Sequence, residues 1–292
     1  MTIENRKSTP PSGHGLWPWA RVAASSRWAG CRPRWGVVSG CHGLCPWGST
    51  IPGDPRRSLA VERLIVALDF TDLKDALRIV KRLQGLIRYA KIGSVLFTAA
   101  GPPAIQRLRA LGVEVFLDLK LHDIPSTVEK SCRAAARHRV AMLTVHACGE
   151  PSMLEAAVAG TRQEALRLKI PRPRVLGVTV LTSIESGNQR AMTNRVVELA
   201  EQAKRAGLDG VVVSAHEAAA IRRRIGRPFL IICPGIRPGA KRNSDQLRVA
   251  SPREAITRGA DFLVVGRPVT EAKDPRAVAQ HLLSEMEEAL AC

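Results

Sequence analysis

From Val61 onward, short runs of aliphatic and β-branched residues alternate with longer stretches of helical period. The apolar runs are LIVALD (64–69), YAKIG (89–93), VEVFLDLK (113–120), MLTVHA (142–147), VLGVTVL (175–181), GVVVSA (210–215), FLIICPG (229–235) and FLVVGR (262–267). Each reads as a strand. Between them, TDLKDALRIVKRL repeats Leu73, Leu77, Val80 and Leu83 at spacings of three or four. SPREAITRGA offers Ser251 as an N-cap, Pro252 in the first helical turn and Gly259 near the end. Strands that alternate with helices pair in parallel through crossovers, and eight such units predict an α/β fold, a closed (β/α)8 barrel over 61–292. In that architecture functional residues gather at the C-terminal ends of the strands, and phosphate is often held after the seventh and eighth.

Side chains alternate across a strand, so Glu114, Phe116, Asp118 and Lys120 share one face while Val113, Val115, Leu117, Leu119 and Leu121 share the other. Alone, Asp118 beside Lys120 reads as an ion pair closing a strand. The other strand ends change that picture. They carry Asp69, Lys91, Asp123, His146, Thr182, Ser183, Ser214, His216, Arg237 and Arg267. A stable barrel does not require this polar ring, and paired buried charges at a cleft mouth are candidate catalytic groups. Arg237 lies in the turn PGIRPG, and Gly266 leaves room beside Arg267 for a ligand to approach the backbone, a combination suited to phosphate. His122 has the opposite strand parity to Lys120, which favours packing or loop anchoring.

With those residues assembled, VALDF, KIG, FLDLKLHDIPST, VLTS, PGIRP and GADFLVVGRP appear in the order and rough spacing of the orotidine 5′-phosphate decarboxylase family, which the chain closely resembles over about 61–290. The resemblance implies decarboxylation of orotidine 5′-monophosphate to uridine 5′-monophosphate with no cofactor and no metal. It implies that Lys91, Asp118, Lys120 and Asp123 form an alternating charged network, with Lys120 as the group that stabilises the C6 carbanion and protonates it. Asp123 and Thr127 would complete the partner's site across a homodimer interface. Asp69 would bind the ribose hydroxyls, and Thr182 the pyrimidine. Arg237, Gln246, Gly266 and Arg267 would hold the 5′-phosphate. Ser126 departs from the Asn that many members carry.

Related sugar-phosphate enzymes, a keto-gulonate phosphate decarboxylase or a hexulose phosphate synthase, resemble the same D-x-K-x-x-D barrels. They use magnesium held partly by an acid on the second strand, where this chain has Lys91. The cation there favours the metal-free reading.

Composition adds a second element. The chain has 292 residues, a net charge of +18 and 45% hydrophobic residues, enough for a large core and an attraction to acidic partners. No apolar run approaches the roughly 20 residues of a membrane span, so a soluble protein is expected, and the scattered Cys132, Cys148, Cys233 and Cys292 read as reduced residues of a cytoplasmic one. Residues 1–60 hold eight Lys or Arg against two acids, all five tryptophans, and no strand or helix period. They read as a disordered extension. Cys31, Cys41, Cys45 and His42 lack zinc-ligand spacing, and the Arg-rich composition fits a targeting peptide but has no apolar core for secretion. Basic and aromatic residues together can bind single-stranded nucleic acid, but no binding fold is recognisable. A start assigned too far upstream would account for this foreign composition. The expected outcome of an intact-mass measurement on the natively expressed protein is an N-terminus well inside the segment, and a chain starting at residue 1 or 2 rejects it.

Overall fold

The computed structural model describes residues 58–181, 188–240 and 249–291. Within them eight strands form one closed parallel barrel: β1 (Leu64–Ala67), β2 (Tyr89–Gly93), β3 (Glu114–Leu121), β4 (Met142–His146), β5 (Arg174–Val178), β6 (Gly210–Val212), β7 (Leu230–Cys233) and β8 (Phe262–Val265). They pair in chain order, and β8 returns to β1 with Leu64 opposite Leu263. Helices fill the crossovers: α1 (Leu73–Arg82), α2 (Ser94–Ala100), α3 (Pro102–Ala110), α4 (Pro125–Arg137), α5 (Pro151–Leu168), α6 (Gln189–Arg205), α7 (Ala215–Ile225), α8 (Pro252–Thr257), α9 (Arg267–Thr270) and α10 (Pro275–Ala291). The expected (β/α)8 architecture is the observed one.

Period two in the strands sorts the core into two layers. Ile65, Tyr89, Phe116, Met142, Leu176, Leu230, Ile232, Phe262 and Val264 fill the barrel interior. Their neighbours in sequence, such as Leu64, Val66, Ala90, Val115, Leu117, Ile231 and Leu263, join the layer under the helices. Ala60 and Val61, at the edge of the expected extension, are already buried in that layer. At the N-terminal end the Tyr89 and Phe262 rings meet edge to face with centroids 5.7 Å apart. The interior is therefore apolar at its base and polar toward the strand C-termini.

The helix signals are realised locally. Asp72 caps α1 by accepting the Lys74 N–H at 2.7 Å, and Ala76, Ile79 and Val80 face the core. Ser251 and Glu254 form a reciprocal capping box at the start of α8. Ser214, one of the polar strand-end residues, caps α7 through the His216 N–H. Several strands are shorter than their apolar runs, β5 ending at Val178 and β6 at Val212. The remaining residues leave the ladder to line the barrel mouth, so hydrophobicity persists where pairing has stopped.

β7 and β8, whose far ends carry Arg237 and Arg267, are fastened at their base by one clamp. Asp261 accepts from Arg222 at 2.6 Å, from Arg227 at 2.6 Å and from the Ile231 N–H at 2.8 Å. Arg222 also donates to the carbonyls of Gly226, Phe229 and Gly259. Removing the carboxylate would leave the largely buried Arg222 guanidinium without its counter-charge. Asp261→Ala should destabilise the barrel by about 3 kcal/mol. Urea midpoints check this, and a loss under about 1 kcal/mol contradicts the clamp.

Candidate functional site

The C-terminal ends of the strands surround a cavity of about 520 Å³. Asp69, Lys91, Asp118, Lys120, Arg237, Gly266 and Arg267 all line it, as the strand-end reading expects. Thr182, Ser183 and Gln246 lie outside the described residues. The remaining wall includes Phe70, Phe116, Val178, Val180, Leu181, Val212, Ile236 and Val264, an apolar surface broad enough for a flat ring.

Asp118 is the hub. Its Oδ2 lies 2.9 Å from Lys120 Nζ and 3.3 Å from Lys91 Nζ, and Lys91 Nζ also reaches Asp69 Oδ1 at 3.6 Å. Asp118 is only 8% exposed. Burial works to raise its pKa. The charges of Lys91 and Lys120, with hydrogen bonds from Lys120 and Thr144, outweigh burial and hold it below the usual carboxylate range. The chain thus keeps a negative charge and two positive charges inside a largely apolar barrel.

Lys120 stands on unusual backbone. Its φ is +51°, the left-handed region that an L residue enters at a cost of about 1–2 kcal/mol. There the register of β3 against β4 slips: Leu117 pairs with Leu143, but Leu121 pairs with Val145. Four positions on β3 therefore span two on β4, a bulge that re-aims the strand end. Strict alternation stops at this point, so parity no longer assigns His122 to a face. His122 is exposed at the mouth, its ring 5.4 Å from that of His146 on β4. Burial, then His122 and Lys120, push the His146 imidazole below its ordinary value.

Two further residues carry weak sequence signals. Gly93 has φ −90°, which any residue adopts, but a Cβ there would sit 3.0 Å from Asp69 Oδ1 and 3.2 Å from Lys91 Nζ. Its missing side chain makes room for that ion pair. Thr144, 1% exposed, donates to Asp118 Oδ1 and accepts the Lys120 N–H, both at 2.9 Å. A threonine inside an apolar strand gives no local hint of such a role.

β3 and β7 lie four strands apart in a ring of eight, so the charged triad and Arg237 stand on opposite walls. Gly235, at φ +77°, turns the chain after β7, and Arg237 N–H then bonds Ala250 O at 3.0 Å. Arg237 Nε is buried and has no hydrogen-bond partner among the described residues, a donor poised for an anion. At Gly266 an added Cβ would touch only Ala67 Cβ, at 3.6 Å, so packing does not demand the glycine and the space faces the cavity.

Asp123 and Thr127 do not enter the cavity of their own chain. Both are exposed, and the Asp123 carboxylate accepts the Ile124 N–H at 2.6 Å. Neighbouring Ile124 is 64% exposed. α4, which follows this segment, is seated closely on α5: a Cβ at Gly160 would lie 2.5 Å from Glu129 O.

The chain has relatives among known proteins. A family model described as orotidine 5′-phosphate decarboxylase / HUMPS family matches residues 62–282. The orotidine 5′-phosphate decarboxylase of Moorella thermoacetica is 45% identical over 238 residues, spanning 79% of this chain and 94% of that protein. That of Nitrosococcus oceani is 44% identical over 230 residues, spanning 77% and 97%. Among solved structures, orotidine 5′-phosphate decarboxylase from Lactobacillus acidophilus matches with a TM-score of 0.66 at 35% identity, covering 77% of this chain and 98% of that one.

The depressed pKa of Asp118 has a consequence for stability. A carboxyl whose folded pKa lies below its unfolded value contributes stability above the unfolded pKa, near 4, and loses it as pH falls through the folded one. Asp118→Asn should therefore be clearly less stable than the parent at pH 7, and the gap should narrow below about pH 4. Urea midpoints at pH 7 and pH 3 decide it; a gap that does not change with pH contradicts the ionised hub.

Proposed function

The chain belongs to the orotidine 5′-phosphate decarboxylase / HUMPS family, and from that premise we propose that it converts orotidine 5′-monophosphate to uridine 5′-monophosphate and CO2. The observation that carries this reading is the single Asp118 oxygen shared by Lys91 and Lys120, facing a cavity whose opposite wall bears Arg237. A substrate with a carboxylate on a pyrimidine at one end and a phosphate at the other matches that division of charge.

The apolar wall of Val178, Val180, Val212 and Val264 accommodates the ring, and Asp69 accepts from the ribose hydroxyls. Arg237 and Arg267, with the Gly266 backbone, grip the phosphate. Those remote contacts supply binding energy that orders the site around C6. The bond from C6 to the carboxylate breaks, CO2 departs, and the electron pair stays on C6. Lys120 offers an ammonium to that pair and then transfers a proton from Nζ to C6. The lysine side chain is 36% exposed, so solvent can restore its proton. Asp118 holds Lys120 through the step. It also stands close to the departing carboxylate, and departure of CO2 relieves that repulsion.

Lys91 supports a reaction without a cofactor, because its ammonium sits between Asp69 and Asp118, where a divalent cation would otherwise bridge two carboxylates. The exposed Asp123, Ile124 and Thr127 support a homodimer in which each chain completes its partner's site. No helix among the described residues is long and apolar enough to cross a membrane. Cys132, Cys148 and Cys233 are free thiols, which supports a reducing cytoplasmic setting.

Loss of the substrate's ultraviolet absorbance, followed in chelator, tests the proposal. The parent should turn over, while Lys120→Ala and Asp123→Ala should each lose at least about a thousandfold in kcat, a scale set by the charge stabilisation and proton transfer they serve. Mixing the two variants under subunit exchange should restore activity, since one site of the hybrid has both intact residues. A folded parent without turnover, or a near-normal Lys120→Ala, sinks the mechanism; a mixture that stays inactive sinks the shared site.

A further inference from the structure

We propose that Thr144 is a positioning residue, whose hydroxyl fixes the bulge in β3 and turns Asp118 so that one oxygen faces both ammonium groups. This inference rests on the role given above to Asp118 and Lys120. Thr144 shares the interior face of β4 with Met142 and His146, and its side chain is sealed from solvent.

The direction of its hydrogen bonds is forced. The Lys120 backbone N–H can only donate, and the ionised Asp118 carboxylate can only accept. The hydroxyl therefore accepts at 2.9 Å from Lys120 N and spends its single proton on Asp118 Oδ1, also at 2.9 Å. Lys120 Nζ donates to Asp118 Oδ2 at 2.9 Å, which closes a ring through Asp118, Lys120 and Thr144. The two carboxylate oxygens divide the work, with Oδ1 tied to β4 and Oδ2 left for the two lysines.

The bulge explains why a side chain is needed. In a regular parallel ladder the Lys120 N–H would find a backbone carbonyl. Here φ is +51° and the register slips by two residues, so the ordinary pairing is interrupted. A hydroxyl on the neighbouring strand takes the carbonyl's place. It also accepts from the same left-handed residue whose ammonium the reaction uses. Valine matches threonine in shape, but it supplies neither the acceptor nor the proton.

Kinetics of Thr144→Val and Thr144→Ser, beside Lys120→Ala, test the proposal. Thr144→Val should fold and lose about tenfold to a hundredfold in kcat, with KM within about threefold of the parent, because the substrate grip is untouched. Thr144→Ser, which keeps the hydroxyl and drops the methyl, should return kcat to within about threefold of the parent. A valine variant with parental kcat overturns the proposal, as does a serine variant as poor as valine. A fall in kcat matched by an equal loss of phosphate grip in KM also counts against it, as general loosening of the barrel. If valine does not fold, Thr144→Ala takes its place, and parental kcat there is equally fatal. Activity retained in Lys120→Ala marks failure of the underlying mechanism instead, since that variant leaves Thr144 in place.

Discussion

The open end of this barrel depends on keeping Asp118 ionised where burial opposes it. A lone carboxylate in such a place would take up a proton. Two ammonium groups on Oδ2 and a hydroxyl on Oδ1 prevent that, and the carboxylate in return holds both lysine side chains in place. The arrangement is mutual, so its members act as one coupled unit. Gly93 belongs to the same constraint, because a methyl group there would intrude on the Asp69–Lys91 pair.

Closure of the sheet converts this local arrangement into a site with two ends. A ring of eight strands puts β3 opposite β7, which separates the lysine and carboxylate cluster from Arg237. Below them, layers led by Tyr89, Phe116, Met142 and Phe262 fill the interior and exclude water from the base of the cavity. Charges above such a floor interact more strongly than they would in bulk water. The clamp of Asp261 with Arg222 and Arg227 holds the start of β7 and β8, so the arginines at the other ends of these strands are carried on fixed supports.

Much of this is legible in the residue order. The eight apolar runs locate the eight strands, the leucine spacing of 73–83 locates α1, and Ser251 with Pro252 locates the start of α8. Parity along 113–120 correctly puts Phe116, Asp118 and Lys120 on the inner face, and the strand-end rule finds Asp69, Lys91, Arg237, Gly266 and Arg267 around one cavity. What is not legible lies where one segment's geometry depends on another. Periodicity overextends the strand ends because apolar residues lining the mouth, such as Val180 and Leu181, look like more strand. Parity gives no reason for the place of His122, because alternation fails at a bulge that only the pairing with β4 reveals. Periodicity passes over Thr144 because the partners of that hydroxyl are 24 and 26 residues away.

By itself, the sequence determined the periodicities: which residues alternate inward, which helix faces are apolar, and how many strands must close. Those follow from backbone repeats of 2 and 3.6 residues, which need no knowledge of neighbours. Tertiary structure alone decided which oxygen of Asp118 meets which lysine, where β3 slips against β4, and which side chain on β4 meets the slip. These are contacts between strands, set by register and distance across the barrel, and no local repeat encodes them.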